Sequence, residues 1–199
     1  MGLTSRKKRP IDRRSQPLPH RDARLFIIAT EGEKTEKQYF AMFANKRCQV
    51  HIISNEGNRS APTHILKRLK DFKKEFQLKD DDELWLMIDV DRWGDRQLAM
   101  VAAEAGHNKF QLAVSNPCFE TWLYLHHDDL NHEYLSSVDM KRKLVAILGG
   151  YNSSKLDLTK FRNVNDAIQR SKVLDIDLVE RWPSRTGTHV YKVVEKIKT

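Results

Sequence analysis

Leu84-Trp85-Leu86-Met87-Ile88-Asp89-Val90-Asp91 is the stretch whose reading decides the fold. Five successive apolar residues of types that suit a pleated surface predict a strand buried on both faces, and such strands belong to parallel sheets covered by helices. The run then breaks into two carboxylates. Side chains at i and i+2 of a strand share a side, so Asp89 and Asp91 lie together at its carboxyl end, where open α/β sheets bind ligands. Two carboxylates about 4 Å apart repel by about 4 kcal/mol at an effective dielectric near 20. A divalent cation with oxygen ligands would compensate them. The same pair also fits two solvated loop acids.

Working outward, Arg24 to Ala29 is a second apolar strand, followed at once by Thr30-Glu31-Gly32-Glu33-Lys34-Thr35-Glu36. Thr30 or a neighbour is expected to cap a helix whose buried face carries Tyr39, Phe40 and Phe43, with Gly32 permitting the sharp turn. Gln49 to Ile53 is a shorter strand. Ser60-Ala61-Pro62 starts a helix in which Ile65, Leu66, Leu69, Phe72 and Phe76 repeat at helical spacing. After the Asp-x-Asp strand, a helix over about 95–105 is expected to stop at Gly106. Phe110 to Val114 is a fourth strand, leading into a short helix opened by Pro117. Strands alternating with helices mean βαβ units, here an open parallel four-stranded sheet of order 2-1-3-4 with right-handed crossovers. Beyond Leu125, helices are expected over 141–148 and 165–176, and a turn from Trp182 enters a final helix in which Ser184 or Thr186 supplies a cap.

The carboxyl ends of strands one, three and four thus each present an acid: Glu31, the pair Asp89 and Asp91, and Glu120. Glu36 lies on the first helix. Oxygen donors without His or Cys suit Mg²⁺ or Mn²⁺ rather than Zn²⁺. Lys34 and Arg92 border the acidic turns and either hold a phosphate or are ordinary surface charge. Glu33 is explained as a first-turn acid favoured by the helix dipole.

Charge and composition narrow the function classes. The 199 residues are 40% hydrophobic, carry a net charge of +8, and include two cysteines. Cys48 and Cys118 lack a Cys-x-x-Cys context and are read as reduced, buried small hydrophobes. No apolar run of about 18 residues exists, so no membrane span is expected, and the charged N-terminus lacks a signal-peptide core, which predicts a cytoplasmic protein. Residues 1–24 carry eight Lys/Arg against two acids, a net of +6. Lys7, Lys8, Arg9, Arg13 and Arg14 are therefore candidate phosphate contacts, and six contacts, matching the net charge of the segment, would give a log-log salt slope of roughly −5 on duplex DNA. A solubilising tail is the other reading of this segment.

Three stretches carry a family resemblance. Ala29 to Phe40, Asp89-Val90-Asp91, and Ser115-Asn116-Pro117-Cys118-Phe119-Glu120-Thr121-Trp122-Leu123-Tyr124-Leu125-His126 resemble the RloB-like family, which is similar to Toprim proteins and OLD-type nucleases. The closing segment, Pro183 to Val194, also resembles the family's end, although Arg185 and Gly187 stand among its usual hydroxyl-bearing residues. The resemblance implies a Toprim-like sheet with Glu31 matching the first-strand glutamate, Asp89 and Asp91 the metal-binding pair, and Glu36 and Glu120 the further acids. It implies Mg²⁺- or Mn²⁺-dependent phosphodiester cleavage, an ATPase partner protein and a role in phage defence. The division expected is a basic tail (1–23), a Toprim-like α/β catalytic core (24–130) and a helical C-terminal extension packing on it (131–199).

The leading expectation is a metal-dependent nuclease acting on DNA or RNA, with Glu31 as general base and Lys34 or Arg92 offsetting charge on the scissile phosphate. The alternative is a catalytically silent nucleic-acid-binding or scaffold subunit with a structural Mg²⁺. A homo-oligomer is compatible with either. A receiver-like domain would need a lysine after a fifth parallel strand, which is not evident. A topoisomerase lacks room for a strand gate, and no P-loop is present. His126 and His127 are read as surface or boundary residues. Trp85 is read as core, and Trp93 as a residue to test for substrate contact.

Overall fold

In the computed structural model, residues 23–32, 34–45, 47–54, 61–90, 93–131, 133–176 and 180–199 are described. Lys7, Lys8, Arg9, Arg13, Arg14, Glu33, Asp91 and Arg92 lie outside the described residues. Strand β1 (Arg24–Thr30) is central, pairing in parallel with β2 (Cys48–Ile53) on one side and β3 (Glu83–Asp89) on the other. β3 pairs in parallel with β4 (Gln111–Asn116). The expected order 2-1-3-4 is present. It continues into a short antiparallel strand, β5 (Gly187–Thr188), so that the sheet runs β2-β1-β3-β4-β5.

Strand periodicity divides the core in two. Leu25, Ile27 and Ala29 of β1 join Leu84, Leu86 and Ile88 of β3 on one face. They are covered by α2 (Pro62–Glu75) through Ile65, Leu66, Leu69 and Phe72, and by α3 (Asp95–His107) through Leu98, Val101 and Ala105. Phe26, Ile28, Trp85 and Met87 point to the opposite face. There they meet α1 (Thr35–Ala41), α4 (Glu120–Leu125), α5 (Ser137–Leu148), α6 (Val164–Leu174) and α7 (Val190–Lys198). Burial on both faces explains why β1 and β3 read as continuous apolar runs rather than alternating ones. Each such buried side chain contributes about 1.5–3 kcal/mol.

The last third of the chain completes this second layer. Ser136 caps α5 by accepting from Asp139 N, and Gly149 ends it in the left-handed region at φ 65°, where a side chain would be strained. β5 covers the edge of β4, Ser115 pairing with Thr188 and Asn116 with Gly187. Val190, Val193 and Val194 then bury α7. Among the described residues no helix is long and apolar enough to cross a membrane.

Several local expectations are corrected. Gly106 lies inside α3, which ends at His107 with Asn108 as its C-cap, and the left-handed position is taken by Lys109 at φ 59°. Among the described residues neither Thr30 nor a neighbour caps α1 with its side chain; the Thr30 hydroxyl donates to Gly32 O instead. At the final helix, Thr188 accepts from Val190 N, while Thr186 accepts from Leu135 N and so ties the preceding turn to the start of α5.

Candidate metal and phosphodiester site

The site is built where β1 and β3 end. Glu31 follows β1 directly, and its Oε2 accepts from Asp89 N at 3.4 Å and from Trp93 Nε1 at 3.2 Å. The carboxylate at the end of one strand is thereby held on the backbone of the next, which the parallel register between β1 and β3 makes possible. Asp89 shares the parity of Trp85 and Met87, so it turns toward the layer of α1 and α4. On the other face, Arg68 of α2 donates from Nη2 to Thr30 O at 2.9 Å and braces the residue before Glu31.

Glu36 stands in the first turn of α1 and is only 5% exposed. Its Oε1 accepts from Gly32 N at 3.1 Å. A Cβ on residue 32 would lie 2.4 Å from Glu36 Oε2, so a larger residue there would push this carboxylate off its contact with Gly32 N. Burial raises the Glu36 carboxyl from 4.5 to about 7. The Gly32 and Glu36 backbone N–H groups oppose that rise, and the charges of Glu120 and Glu31 add to it.

Glu120 opens α4 and is 8% exposed. Tyr151, in the loop after α5, donates its hydroxyl to Glu120 Oε1 at 3.1 Å, and Lys141 Nζ of α5 lies 3.8 Å from the same oxygen. Burial pushes the Cys118 thiol up, and the Glu120 and Asp89 charges push it further. Burial likewise raises the Tyr151 phenol, with Glu120 adding to it, so both groups are neutral at pH 7.

Glu31, Glu36, Asp89 and Glu120 therefore form one negatively charged edge, with only oxygen donors among its carboxylates. That donor chemistry fits Mg²⁺ or Mn²⁺. Among the described residues no three Asp, Glu, His or Cys side chains are grouped so as to enclose an ion.

The model of the RloB-like protein family matches residues 26–197. The chain belongs to the RloB-like family. No curated protein and no solved structure matches it.

In this RloB-like chain the sequence-selected residues divide into three groups. Glu31 and Asp89 meet through backbone and side chain, and Glu36 and Glu120 act on one another electrostatically. Lys34 is exposed at the start of α1. Asp91, Arg92 and the tail cations fall outside the described residues. Trp93, read as a residue to test for substrate contact, donates its Nε1 to Glu31 Oε2. His126 is not at the surface: it is fully buried, and its Nε2 is 3.0 Å from the Tyr39 hydroxyl, so it joins the helices that carry Glu36 and Glu120. Burial drives its imidazole down to about 3, helped by His127 and Arg170, and it stays neutral.

Tyr151, Lys141 and Arg68 were not selected from sequence. Tyr151 reaches Glu120 across 31 positions. The only local signal was an aromatic residue directly after the paired glycines that end α5.

Proposed function

We propose that this RloB-like chain is a Mg²⁺- or Mn²⁺-dependent nuclease that hydrolyses phosphodiester bonds in DNA or RNA. The observation that supports the reading is the meeting of Glu31 with Asp89 N at the ends of β1 and β3, beside the buried carboxyls of Glu36 and Glu120. Carboxylates crowded in this way are costly unless positive charge joins them. Glu31 and Asp89, which meet at the strand ends, would hold the ion together with Asp91, and the charges of Glu36 and Glu120 would favour it there. When bound, the ion supplies an activated water and neutralises phosphate charge.

The chain's own groups have separate parts. Glu31, oriented by Asp89 N and Trp93 Nε1, accepts a proton from the attacking water. Lys141, Lys34 and Arg92 offset charge on the phosphate. Tyr151 keeps Glu120 in place by its hydroxyl. Participation in phage defence beside an ATPase partner extends the proposal and rests on the family resemblance.

A second reading, a silent scaffold or nucleic-acid-binding subunit with a structural Mg²⁺, draws support from Glu120. That acid already has a phenol and an ammonium group beside it. Calorimetric titration of Mn²⁺ combined with cleavage separates the two. The nuclease binds Mn²⁺, loses at least tenfold in affinity on Asp89→Asn, and cuts nucleic acid in Mn²⁺. Unchanged Mn²⁺ binding in that variant would contradict the site, and binding without cutting would favour the scaffold.

A further inference from the structure

A cavity of ≈ 250 Å³ has Tyr151 in its lining. Leu148, Leu156 and Phe161 give it an apolar floor, and Asn152, Lys155 and Lys160 line it with polar groups. Tyr151 belongs to both places, lining this cavity while its hydroxyl sits on Glu120 at 3.1 Å. The loop that forms the cavity is fastened to the helix of Glu36. Thr35 Oγ1 and Gln38 Nε2 donate to Ser153 O at 3.3 and 3.0 Å, and Leu156 N donates to Gln38 Oε1 at 2.8 Å. The cavity and the acidic edge are thus held in fixed relation by α1. Asp157, the one acid among the described lining residues, accepts from Thr159 N and Oγ1, and Lys160 Nζ donates to Leu148 O at 2.7 Å, so Lys155 is the lysine offered to a ligand.

We infer that this cavity is a nucleotide subsite that takes one unstacked base of a single-stranded nucleic acid, next to the phosphodiester held at the acidic edge. The inference rests on the nuclease reading of that edge for the second half of the statement. The cavity is smaller than the roughly 300–1,000 Å³ of pockets that enclose drug-sized ligands, which matches one base with its sugar. An apolar floor and an aromatic wall suit a base of any identity, because every base has a π-face. Lys155 suits a flanking phosphate. A base inside a duplex is stacked on both faces and cannot enter without being flipped out, so single strands are preferred over duplexes.

The test is fluorescence anisotropy with the full chain in EDTA, using a short labelled single strand, its duplex, the same strand with an abasic position stepped along it, and a free mononucleotide. Tyr151→Phe keeps the ring and binds the strand like wild type. Tyr151→Ala weakens binding by roughly five- to hundredfold, the range for losing one base–aromatic stack. Lys155→Glu weakens it as well. One abasic position in the strand produces a comparable loss, and the duplex binds more weakly than the strand. The abasic scan is insensitive to the basic tail, since phosphate contacts carry no base information.

A flat abasic scan, equal binding of strand and duplex, or wild-type binding by Tyr151→Ala would overturn the subsite. So would a free mononucleotide that binds as tightly as the strand. Cleavage in Mn²⁺ is measured on the same preparations. Cutting with a flat abasic scan removes the subsite and leaves the nuclease reading intact. The expected binding pattern without cutting keeps the single-strand subsite and removes the nuclease reading.

Discussion

Replacing Glu36 by Gln should stabilise the metal-free protein, by an amount that depends on pH. The amide oxygen introduced can still accept from Gly32 N, so the substitution removes the ionisation and little else. The folded carboxyl titrates near 7, against 4.5 when solvated. A raised carboxyl binds more protons in the folded state, so its contribution is fully present below pH 4.5 and is lost as pH rises through 7. The interval from 4.5 to about 7 corresponds to about 3 kcal/mol. The variant should therefore exceed wild type by under about 1 kcal/mol at pH 5 and by about 3 kcal/mol at pH 8. For a chain of this size the latter is a rise of roughly 6–12 °C in Tm.

Urea and thermal unfolding in EDTA between pH 5 and 8 measure this difference. Taking variant minus wild type cancels the opposing titration of His126, which the substitution leaves in place. A difference that does not change with pH would refute the reasoning. Mn²⁺ at a hundred times its Kd should then add about 2.7 kcal/mol to wild type and less to Glu36→Gln, since an ion bound only by the folded state stabilises it.

Further outcomes follow from the same contacts. Gly32→Ala pushes the end of the Glu36 side chain aside and should cost about 0.5–1.5 kcal/mol, the worth of the Gly32 N to Glu36 hydrogen bond. Combining it with Glu36→Ala should recover part of that loss, so additive unfolding energies would contradict the close approach. Tyr39→Phe leaves His126 Nε2 buried without the phenol and should lower stability by about 1–3 kcal/mol, read from denaturant midpoints. The His126 imidazole is held at about 3 against 6.5, so its contribution is present above pH 6.5 and is lost as pH falls toward 3. Acid unfolding profiles should accordingly flatten between pH 6 and 4 in His126→Phe. Removing residues 1–21 should reduce the log-log salt slope of duplex binding by roughly 5, and an unchanged slope would assign the tail to solubility.

Much of this arrangement was legible in the chain because burial leaves a strong pattern. β1 and β3 are buried on both faces, which is why Leu25–Ala29 and Leu84–Ile88 are uninterrupted apolar runs. Once those strands are neighbours, parallel pairing brings Glu31 to Asp89 with no further information. Glu120 was legible from its place after the fourth strand and Glu36 from the first helix, and the family resemblance marked both as further acids of the site.

What was not legible depends on contacts distant in the chain. β5 is two residues long and exists because β4 offers it an edge, so Gly187-Thr188 carries no strand signal of its own. Paired histidines on a short helix fit either surface or core. Only the packing of Tyr39 and Phe161 against His126 decides for the core. Gly32 has a clear signature, but a turn and a close approach to Glu36 leave the same letter in the sequence. Lys141 and Tyr151 reach Glu120 because α5 packs on α4, and no local pattern records that.

The most direct measurement is cleavage of labelled DNA and RNA by the full chain in Mg²⁺, Mn²⁺ or EDTA, with Asp89→Asn beside wild type and unfolding curves for both. The account predicts cutting that needs the metal, is absent in EDTA, and falls by at least a hundredfold in a variant that unfolds like wild type. Equal cutting by Asp89→Asn, or undiminished cutting in EDTA, would contradict it.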